Sequence, residues 1–256
     1  MSSPQSPVPS PQIWDGLTAQ DLAERCGVRR LHLFDATDST LDVAHELAEQ
    51  GAESGTTVLA DCQRAGRGRM GRVWSSEPGL GVWCTVIERS VPRDAMDVLS
   101  IRVGLLIAER LDSLAGEAVG VKWPNDLVVR GAKLGGILVE ARWTGDTLGW
   151  IAIGVGLNVV RPISEAAAAG MPKGTARVRV LAAAVAGIRT AAVAKGHLSA
   201  DEMKRYGSRD YLTGKRVVEP LVGTVSGIAT NGALVVETRQ RTERVRSGTI
   251  RLAEGR

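Results

Sequence analysis

Aromatic residues are scarce in this chain of 256 residues, where Phe, Trp and Tyr together make up 4%. Because the apolar fraction is still an ordinary 44%, the core has to be built from aliphatic side chains. No apolar run reaches the roughly 18 residues that a membrane-spanning helix needs, so we expect no membrane protein. The opening stretch, MSSPQSPVPSPQIW, lacks the basic and apolar regions of a signal peptide, and its alternating Pro and Ser predict a disordered or strap-like tail.

Cysteine and histidine are equally sparse, with three of each. Cys26, Cys62 and Cys84 are widely spaced and odd in number, which supports neither a disulfide framework nor a zinc site. Cys62 and Cys84 fall in apolar runs and are expected to be buried, inert thiols. Since no Ser-His-Asp grouping is evident either, we predict a cytoplasmic protein whose site works by electrostatic stabilisation rather than covalent catalysis.

The net charge of +4 is unevenly distributed along the chain. Residues 213–256 contain eight Lys/Arg and four Asp/Glu, so the whole excess lies there, while the remainder carries 24 of each sign. A neutral main segment argues against a general nucleic-acid-binding surface on it. The basic end is expected to help steer an acidic partner.

The hydrophobic pattern predicts an α+β chain. Strands are predicted at 30–34, 56–62, 79–88 and in three Gly-punctuated runs between 119 and 160. Helices are predicted at 17–27, 38–51, 94–116, 176–196 and 200–212, with Ser39 and Asp42 forming a capping-box-like start to the second of them. From Gly214 onward short strands follow one another, and Thr230-Asn231-Gly232 suits a type I′ hairpin. We therefore predict three segments: a tail with a short helix (1–30), a catalytic domain (31–212) and a small β-barrel (213–256).

Between two of these strands lies GRGRMGR, residues 66–72. Its glycines spell G-x-G-x-x-G, but the following RVWSSEPGLG contains Pro78 and lacks the helical period that a dinucleotide-binding turn requires. Arg67, Arg69 and Arg72 offer donors matched to carboxylates and phosphates, and the glycines add flexibility. This pattern predicts a mobile loop that orders around an anionic ligand; the alternative is a solvated basic loop that touches nucleic acid.

Three further motifs place polar groups where strands end. KWPND puts Asn125 and Asp126 at a forced exit from the sheet, suited to a Mg²⁺–phosphate unit or an amine. KLGGIL puts Lys133 beside two glycines that let a ligand approach the backbone, and GVGLN ends in Asn158. Each motif alone is also compatible with an ordinary turn, and Ser39 with an ordinary N-cap. Together they favour an anionic, phosphate-containing ligand.

The segments TDST, CQRAGRGRMGRVW, VKWPNDL, KLGGILVE and GVGLNV, in this order and spacing, resemble those of biotin protein ligases, and the C-terminal SGTIRL resembles the end of that family's SH3-like domain. The resemblance implies a mixed β-sheet flanked by helices, as in class II synthetases, with a small C-terminal SH3-like β-barrel. It implies ATP-dependent attachment of biotin, through biotinyl-5′-AMP and with Mg²⁺, to a lysine of a biotin carboxyl carrier domain of a carboxylase. A monomer or weak homodimer is expected.

The resemblance also implies roles for individual residues, but no set of protein metal ligands. The implied biotin-binding residues are Ser39, Thr40, Leu41, Gln63, Gly66, Arg67, Gly68, Arg69, Lys133 and Gly136. The implied ATP-binding residues are Arg69, Arg72, Trp74, Asn125, Lys133 and Asn158. Catalysis is assigned to Lys133, Arg69 and Asp126.

The chain departs from the family pattern in two places. Leu41 stands where the family has Asn after Ser-Thr, and the Ala-Thr-Ser-Leu segment expected after GLNV is not recognisable. Some family members are repressors with an N-terminal winged helix-turn-helix; residues 1–30 are too few for that domain, so no DNA binding is expected. The alternatives are a lipoate or octanoate ligase of the same superfamily and a non-enzymatic nucleic-acid-binding module.

Overall fold

The computed structural model describes residues 12–163 and 167–253. The predicted Pro/Ser tail lies almost wholly outside these ranges. Within them, no helix is long and apolar enough to cross a membrane. The helices are α1 (Ala19–Cys26), α2 (Thr40–Glu49), α3 (Leu99–Ala115), α4 (Arg177–Ala192) and α5 (Ala200–Gly207).

Seven strands form the central sheet. They are β3 (Leu31–Thr37), β4 (Thr57–Gln63), β5 (Gly81–Glu88), β6 (Gly120–Lys122), β7 (Asp126–Val129), β8 (Ala132–Thr144) and β9 (Thr147–Asn158). Their order is β3-β4-β5-β9-β8-β7-β6, and only the β3–β4 pair is parallel. A short hairpin, β1 (Ile13–Trp14) and β2 (Leu17–Thr18), precedes α1. The predicted mixed sheet flanked by helices is confirmed.

The two faces of the sheet are covered differently. On one face lie α1, α3 and α4, whose aliphatic side chains join the odd-numbered residues of β9, such as Ile153 and Leu157, in the main core. On the other face α2 packs a smaller cluster that includes Leu41, Ala44 and Ala152. Because α2 covers only part of this second face, the carboxyl-terminal end of β9 and the middle of β8 are left for a site.

The helix predicted over 94–116 divides into two parts. Residues Arg93–Val98 form a 3-10 helix, and α3 begins only at Leu99. Ala95 and Val98 are both fully buried and stand three residues apart, which is the period of a 3-10 turn. Gly116 ends α3 in the left-handed conformation, φ 72°, as an αL cap.

The C-terminal strands form a separate antiparallel sheet. They are β10 (Arg216–Glu219), β11 (Gly223–Ile228), β12 (Leu234–Glu237), β13 (Thr242–Val245) and β14 (Arg251–Leu252). The order is β13-β12-β11-β10-β14, consistent with the predicted SH3-like domain. The three-segment division itself remains a prediction.

The β11–β12 connection is not the predicted type I′ turn. Among its residues only Gly232 has a positive φ, 79°, whereas a type I′ turn also needs one at Asn231. The Gly232 N–H donates to the Ala229 carbonyl at 2.8 Å. This turn docks on the main domain, because the Trp123 indole N–H donates to the Gly232 carbonyl at 2.8 Å and the Leu198 N–H donates to the Thr230 carbonyl at 2.8 Å.

Candidate active site

A cavity of about 200 Å³ lies on the face of the sheet that α2 leaves open. Its walls come from four places: the N-terminus of α2, the Arg-Gly loop, the β6–β7 turn and the segment before β14. The residues that line it are Ser39, Thr40, Leu41, Gln63, Arg67–Met70, Arg72–Trp74, Cys84, Lys122–Asp126, Lys133, Gly136–Leu138, Gly154–Gly156 and Gly248–Ile250. The motifs singled out in the sequence therefore converge on one cavity.

Paired glycines form part of the floor of this cavity. Gly136 on β8 and Gly156 on β9 are register partners, and the indole of Trp74 lies over both. A Cβ at Gly156 would lie 2.6 Å from Trp74 Nε1, and one at Gly136 would lie 3.4 Å from Trp74 Cζ3. The sheet therefore approaches an aromatic side chain more closely there than a larger residue would permit.

Lys133 and Asp126 form an ion pair at one side of the cavity, Nζ to Oδ1 at 2.8 Å. The Lys133 ammonium also lies 4.9 Å from the centroid of the Trp74 ring. The backbone of Lys133 is fixed on its outer side, since its N–H donates to the Ala167 carbonyl at 2.9 Å. These contacts hold a cation at a defined position beside an aromatic surface.

A hydrogen-bonded network lies beneath the N-terminus of α2. The Gln63 Oε1 accepts from the Thr40 N–H at 2.8 Å, and the Gln63 Nε2 donates to Ser76 Oγ at 2.8 Å. The Thr85 hydroxyl donates to Thr40 Oγ1 at 2.9 Å. Ser39 is the N-cap as predicted, but its Oγ accepts from the Leu41 N–H at 3.3 Å rather than from Asp42, so no capping box forms.

The Arg-Gly loop is a small hairpin rather than an open coil. The Trp74 N–H donates to the Gly66 carbonyl and the Gly68 N–H to the Arg72 carbonyl, at 2.8 and 2.7 Å. A short 3-10 turn, Arg69–Gly71, forms the tip, where Met70 takes a left-handed conformation with φ 57°. Met70 is 73% exposed at this tip.

The three arginines of the loop contact three different parts of the fold. Arg67 pairs with Asp42 on α2 at 2.8 Å and with Glu140 on β8 at 3.1 Å. Arg69 donates to Asn125 Oδ1 in the β6–β7 turn at 3.3 Å. Arg72 donates to Thr249 Oγ1 in the segment before β14 at 2.9 Å. The loop is thus connected to α2 and β8, to the β6–β7 turn and to the segment before β14.

Arg69 is partly buried at the edge of the cavity. Its partial burial lowers the pKa of the guanidinium, Asp126 opposes this effect and Arg72 adds to it. The pKa is lowered mainly because the partly buried guanidinium loses contact with water, which disfavours its charged form. An incoming anion would favour the charged form of Arg69.

The charge of the lining is one-sided. It includes Arg67, Arg69, Arg72, Lys122 and Lys133, and Asp126 is its one carboxylate. The Cys84 thiol also lines the cavity, but burial raises its pKa to about 12, so it stays protonated at neutral pH and is a poor nucleophile. Such a site can bind a carboxylate and phosphates and can stabilise negative charge that develops between them.

Leu41 lines the cavity where the family resemblance led us to expect a polar side chain. It is 4% exposed and packs on the backbone of Gly154, where a Cβ would lie 3.1 Å from its Cδ1. The resemblance also assigned Gly66 and Asn158 to the site. Gly66 lines a neighbouring cavity below the loop, and Asn158 is buried at the end of β9, outside the lining of the main cavity.

Sequence reasoning missed several site residues. Thr249 and its neighbours come from the C-terminal sheet, and nothing in a local pattern links them to a loop 177 positions away. Glu140 is the last residue of the quoted KLGGILVE motif but was given no role; alternation along β8 could have placed it on the same face as Gly136. Cys62 was expected to be buried but is partly exposed.

The fold and the cavity together define a class: proteins with a mixed sheet that carries a cationic cavity bordered by an Arg-Gly loop, followed by a small antiparallel sheet. The model superposes on the biotin protein ligase from Aquifex aeolicus, solved in complex with biotin and ATP, with a TM-score of 0.72 and 23% identity, over 89% of this chain and 100% of that chain. It also superposes on the Leishmania major biotin protein ligase, solved in complex with biotinyl-5-AMP, with a TM-score of 0.58 and 23% identity, over 85% and 98% of the two chains.

Residues 33–158, which make up 126 of the 256 residues, match the Biotin/lipoate A/B protein ligase family. The bifunctional ligase/repressor BirA of Bacillus subtilis (strain 168) is 40% identical over 132 residues, 51% of this chain and 41% of that protein. The biotin–[acetyl-CoA-carboxylase] ligase of Mycobacterium tuberculosis is 35% identical over 145 residues, 54% and 53% of the two. The matches thus span about half, or less, of these relatives' length.

Proposed function

We propose that this protein is an ATP-dependent biotin–protein ligase. Its substrates are biotin, ATP and a lysine on a biotin carboxyl carrier domain of a carboxylase. The observation that carries the proposal is the convergence of Arg69, Lys133 and Asp126 with the Trp74 ring on one cationic cavity, in a chain whose residues 33–158 match the Biotin/lipoate A/B protein ligase family. We place it in the cytoplasm, because its described cysteines are free thiols, as in reducing compartments. We also propose that it is a monomer or weak homodimer.

The chemistry follows from the charges. A biotin carboxylate oxygen attacks the α-phosphorus of ATP, the new acyl–O–P bond forms, and the bond to pyrophosphate breaks. The amine of the carrier lysine then attacks the acyl carbon, loses a proton, and AMP leaves with the bonding electron pair. Lys133 and Arg69 stabilise the charge that spreads over the α-phosphoryl oxygens, as donors do in other phosphoryl transfers.

Mg²⁺ would enter with the ATP phosphates. Among the described residues there is no group of three or more His, Cys, Asp or Glu side chains able to hold a metal ion alone. Asp126 lies beside Lys133 in the cavity and fits the single carboxylate that a phosphate-bound Mg²⁺ commonly takes from a protein. The metal would neutralise phosphate charge, while Asp126 keeps Lys133 oriented.

The test is adenylate formation without an acceptor. Purified protein is mixed with Mg²⁺, ATP labelled at the α-phosphate, and biotin, octanoate or lipoate in separate reactions; biotinyl-AMP and pyrophosphate are quantified. We expect an adenylate from biotin and transfer of biotin to an added carrier domain. An adenylate from octanoate or lipoate alone would assign the protein to the neighbouring branch of the family. Absence of any adenylate, with binding of nucleic acid that weakens steeply with salt, would support the non-enzymatic alternative.

A further inference from the structure

Arg67 of the Arg-Gly loop has no part in the reaction described above. Arg67 is held between two carboxylates, Asp42 on α2 and Glu140 on β8. Glu140 also contacts His45, whose Nε2 lies 2.9 Å from the Glu140 Oε2. The Trp150 indole N–H donates to His45 Nδ1 at 2.9 Å, which leaves Nε2 as the nitrogen that donates to Glu140.

This chain of contacts is better buried the further it lies from the loop. The exposed fraction falls from 36% for the Arg67 side chain to 21% for Glu140 and 8% for His45. A carboxylate oriented by a buried imidazole loses less conformational entropy when it binds an arginine than a free surface carboxylate does. Glu140 is therefore a rigid acceptor for a mobile loop.

The loop has few other supports on the sheet. A cavity of about 370 Å³ is lined by residues 65–73 and by Leu138 and Glu140 on β8. Beyond Arg67, the side-chain hydrogen bonds of the loop arginines go to the β6–β7 turn and to the C-terminal segment, not to β8 or α2. Arg67 is thus the point at which the loop is fixed to the wall formed by α2 and β8.

We propose that Glu140, oriented by His45, is a positioning residue that fixes the base of the Arg-Gly loop through Arg67. Because its base is fixed, the loop closes by a motion of residues 68–73 alone. The Arg69 guanidinium then returns to the same position in the cavity at each closure. Without this support the loop would open more often. One consequence rests on the proposed function: the closed loop retains the adenylate in the site.

Trypsin measures loop opening, since it cleaves after Arg67, Arg69 and Arg72 faster when the loop leaves its folded position. The full chain without ligands is digested briefly, and the fragments are quantified by mass spectrometry. We expect Glu140→Gln to be cut in the loop roughly 5-fold faster than wild type. Glu46→Gln, at an exposed position of α2, is the matched control and should be cut at the wild-type rate.

A double-mutant cycle distinguishes an effect of Glu140 that passes through Arg67 from a general loosening of the fold around the loop. If Glu140 acts through Arg67, then adding Glu140→Gln to Arg67→Gln should not increase loop cleavage further. Equal effects of Glu140→Gln in both backgrounds, or unchanged cleavage in Glu140→Gln, would overturn the proposal. Should Glu140→Gln fail to fold, Asp42→Asn removes the other, half-exposed carboxylate and must also increase cleavage.

The second readout is the rate at which biotinyl-AMP leaves the protein when no acceptor is present. Glu140→Gln should release it several-fold faster than wild type, and the rate of adenylate formation at saturating substrate should fall by a smaller factor, because Arg69 is placed less precisely. The two proposals fail separately. If wild type forms no adenylate, the proposed function fails but the cleavage experiment still tests the role of Glu140; if the adenylate forms and the cleavage is unchanged, only the role of Glu140 fails.

Discussion

Arg72 and Thr249 are joined by a hydrogen bond, Nη2 to Oγ1 at 2.9 Å, although 177 positions separate them in the sequence. The Thr249 hydroxyl also lies 3.7 Å from the Met70 sulfur. These contacts connect the tip of the Arg-Gly loop to the C-terminal sheet. The C-terminal sheet is therefore part of the site and not only an appended domain.

The first prediction follows from that hydrogen bond. Thr249→Val keeps the shape of the side chain but removes the acceptor for Arg72, so the closed loop loses one of its three attachments. We expect biotinyl-AMP to be released several-fold faster, while the free energy of unfolding changes by less than about 0.5 kcal/mol because the pair is exposed. Thr224→Val, at an exposed position of β11, is the control; a similar release rate in both variants would contradict the role of Thr249.

The second prediction concerns Lys133. Lys133→Met removes the ammonium but keeps much of the side-chain length, and we expect the rate of adenylate formation to fall by about 10²- to 10³-fold. Stability should hardly change, since the side chain is 38% exposed. The check is single-turnover adenylation beside a thermal melt, with Lys173→Met, an exposed lysine away from the cavity, as control. A loss below about 10-fold would rule out charge stabilisation by Lys133 as a main contribution.

The third prediction uses the paired glycines. In Gly156→Ala the new methyl group would lie 2.6 to 3.0 Å from three atoms of the Trp74 indole, so the ring must move. We expect about 1–3 kcal/mol of destabilisation and a raised KM for ATP, because the ring borders Lys133. Gly207→Ala is the comparison, since a Cβ there meets nothing within 4 Å. Chemical denaturation and steady-state kinetics measure the two effects, and an unchanged KM would remove Trp74 from the nucleotide side.

The fourth prediction concerns the pH dependence of stability. Burial raises the pKa of Glu88 above its ordinary value of 4.5, although Arg189, at 2.8 Å, partly offsets this. The folded state therefore holds this proton more tightly than the unfolded state. This contribution to the free energy of unfolding is fully present below pH 4.5 and is lost as the pH rises through the raised pKa.

Glu88→Gln should remove that part of the pH dependence. Between pH 4.5 and the raised pKa, the difference in unfolding free energy between variant and wild type should change by at most about 1.4 kcal/mol per pH unit. Denaturant unfolding at several pH values measures this difference curve. Burial also raises the pKa of Asp210, but Asp210 is present in both proteins, so its contribution cancels in the difference curve. A difference that does not change with pH would show that Glu88 titrates normally.

Much of the fold was predictable because its signals are local. The strand predicted at 79–88, observed as β5 from Gly81, and the N-cap Ser39 each depend on residues within one turn or one strand. The helix predicted over 200–212 begins at Ala200 as expected but ends at Gly207, so its second half was wrong. Departures arose where a neighbouring element decided the conformation. The turn at Asn231–Gly232 adopts its shape while docked on Trp123, and no pattern within the turn encodes that contact.

The sequence by itself determined the chemical composition of the site: the arginines of the loop, the Pro-Asn-Asp turn and Lys133 beside its glycines. Only the tertiary structure decided which group each of these faces. Arg67 binds Asp42 and Glu140, Arg69 binds Asn125, and Arg72 binds Thr249. The reason is physical: residue type fixes charge and hydrogen-bonding capacity, whereas partners far apart in sequence are brought within 3 Å or so only by the packing of the sheets and helices between them.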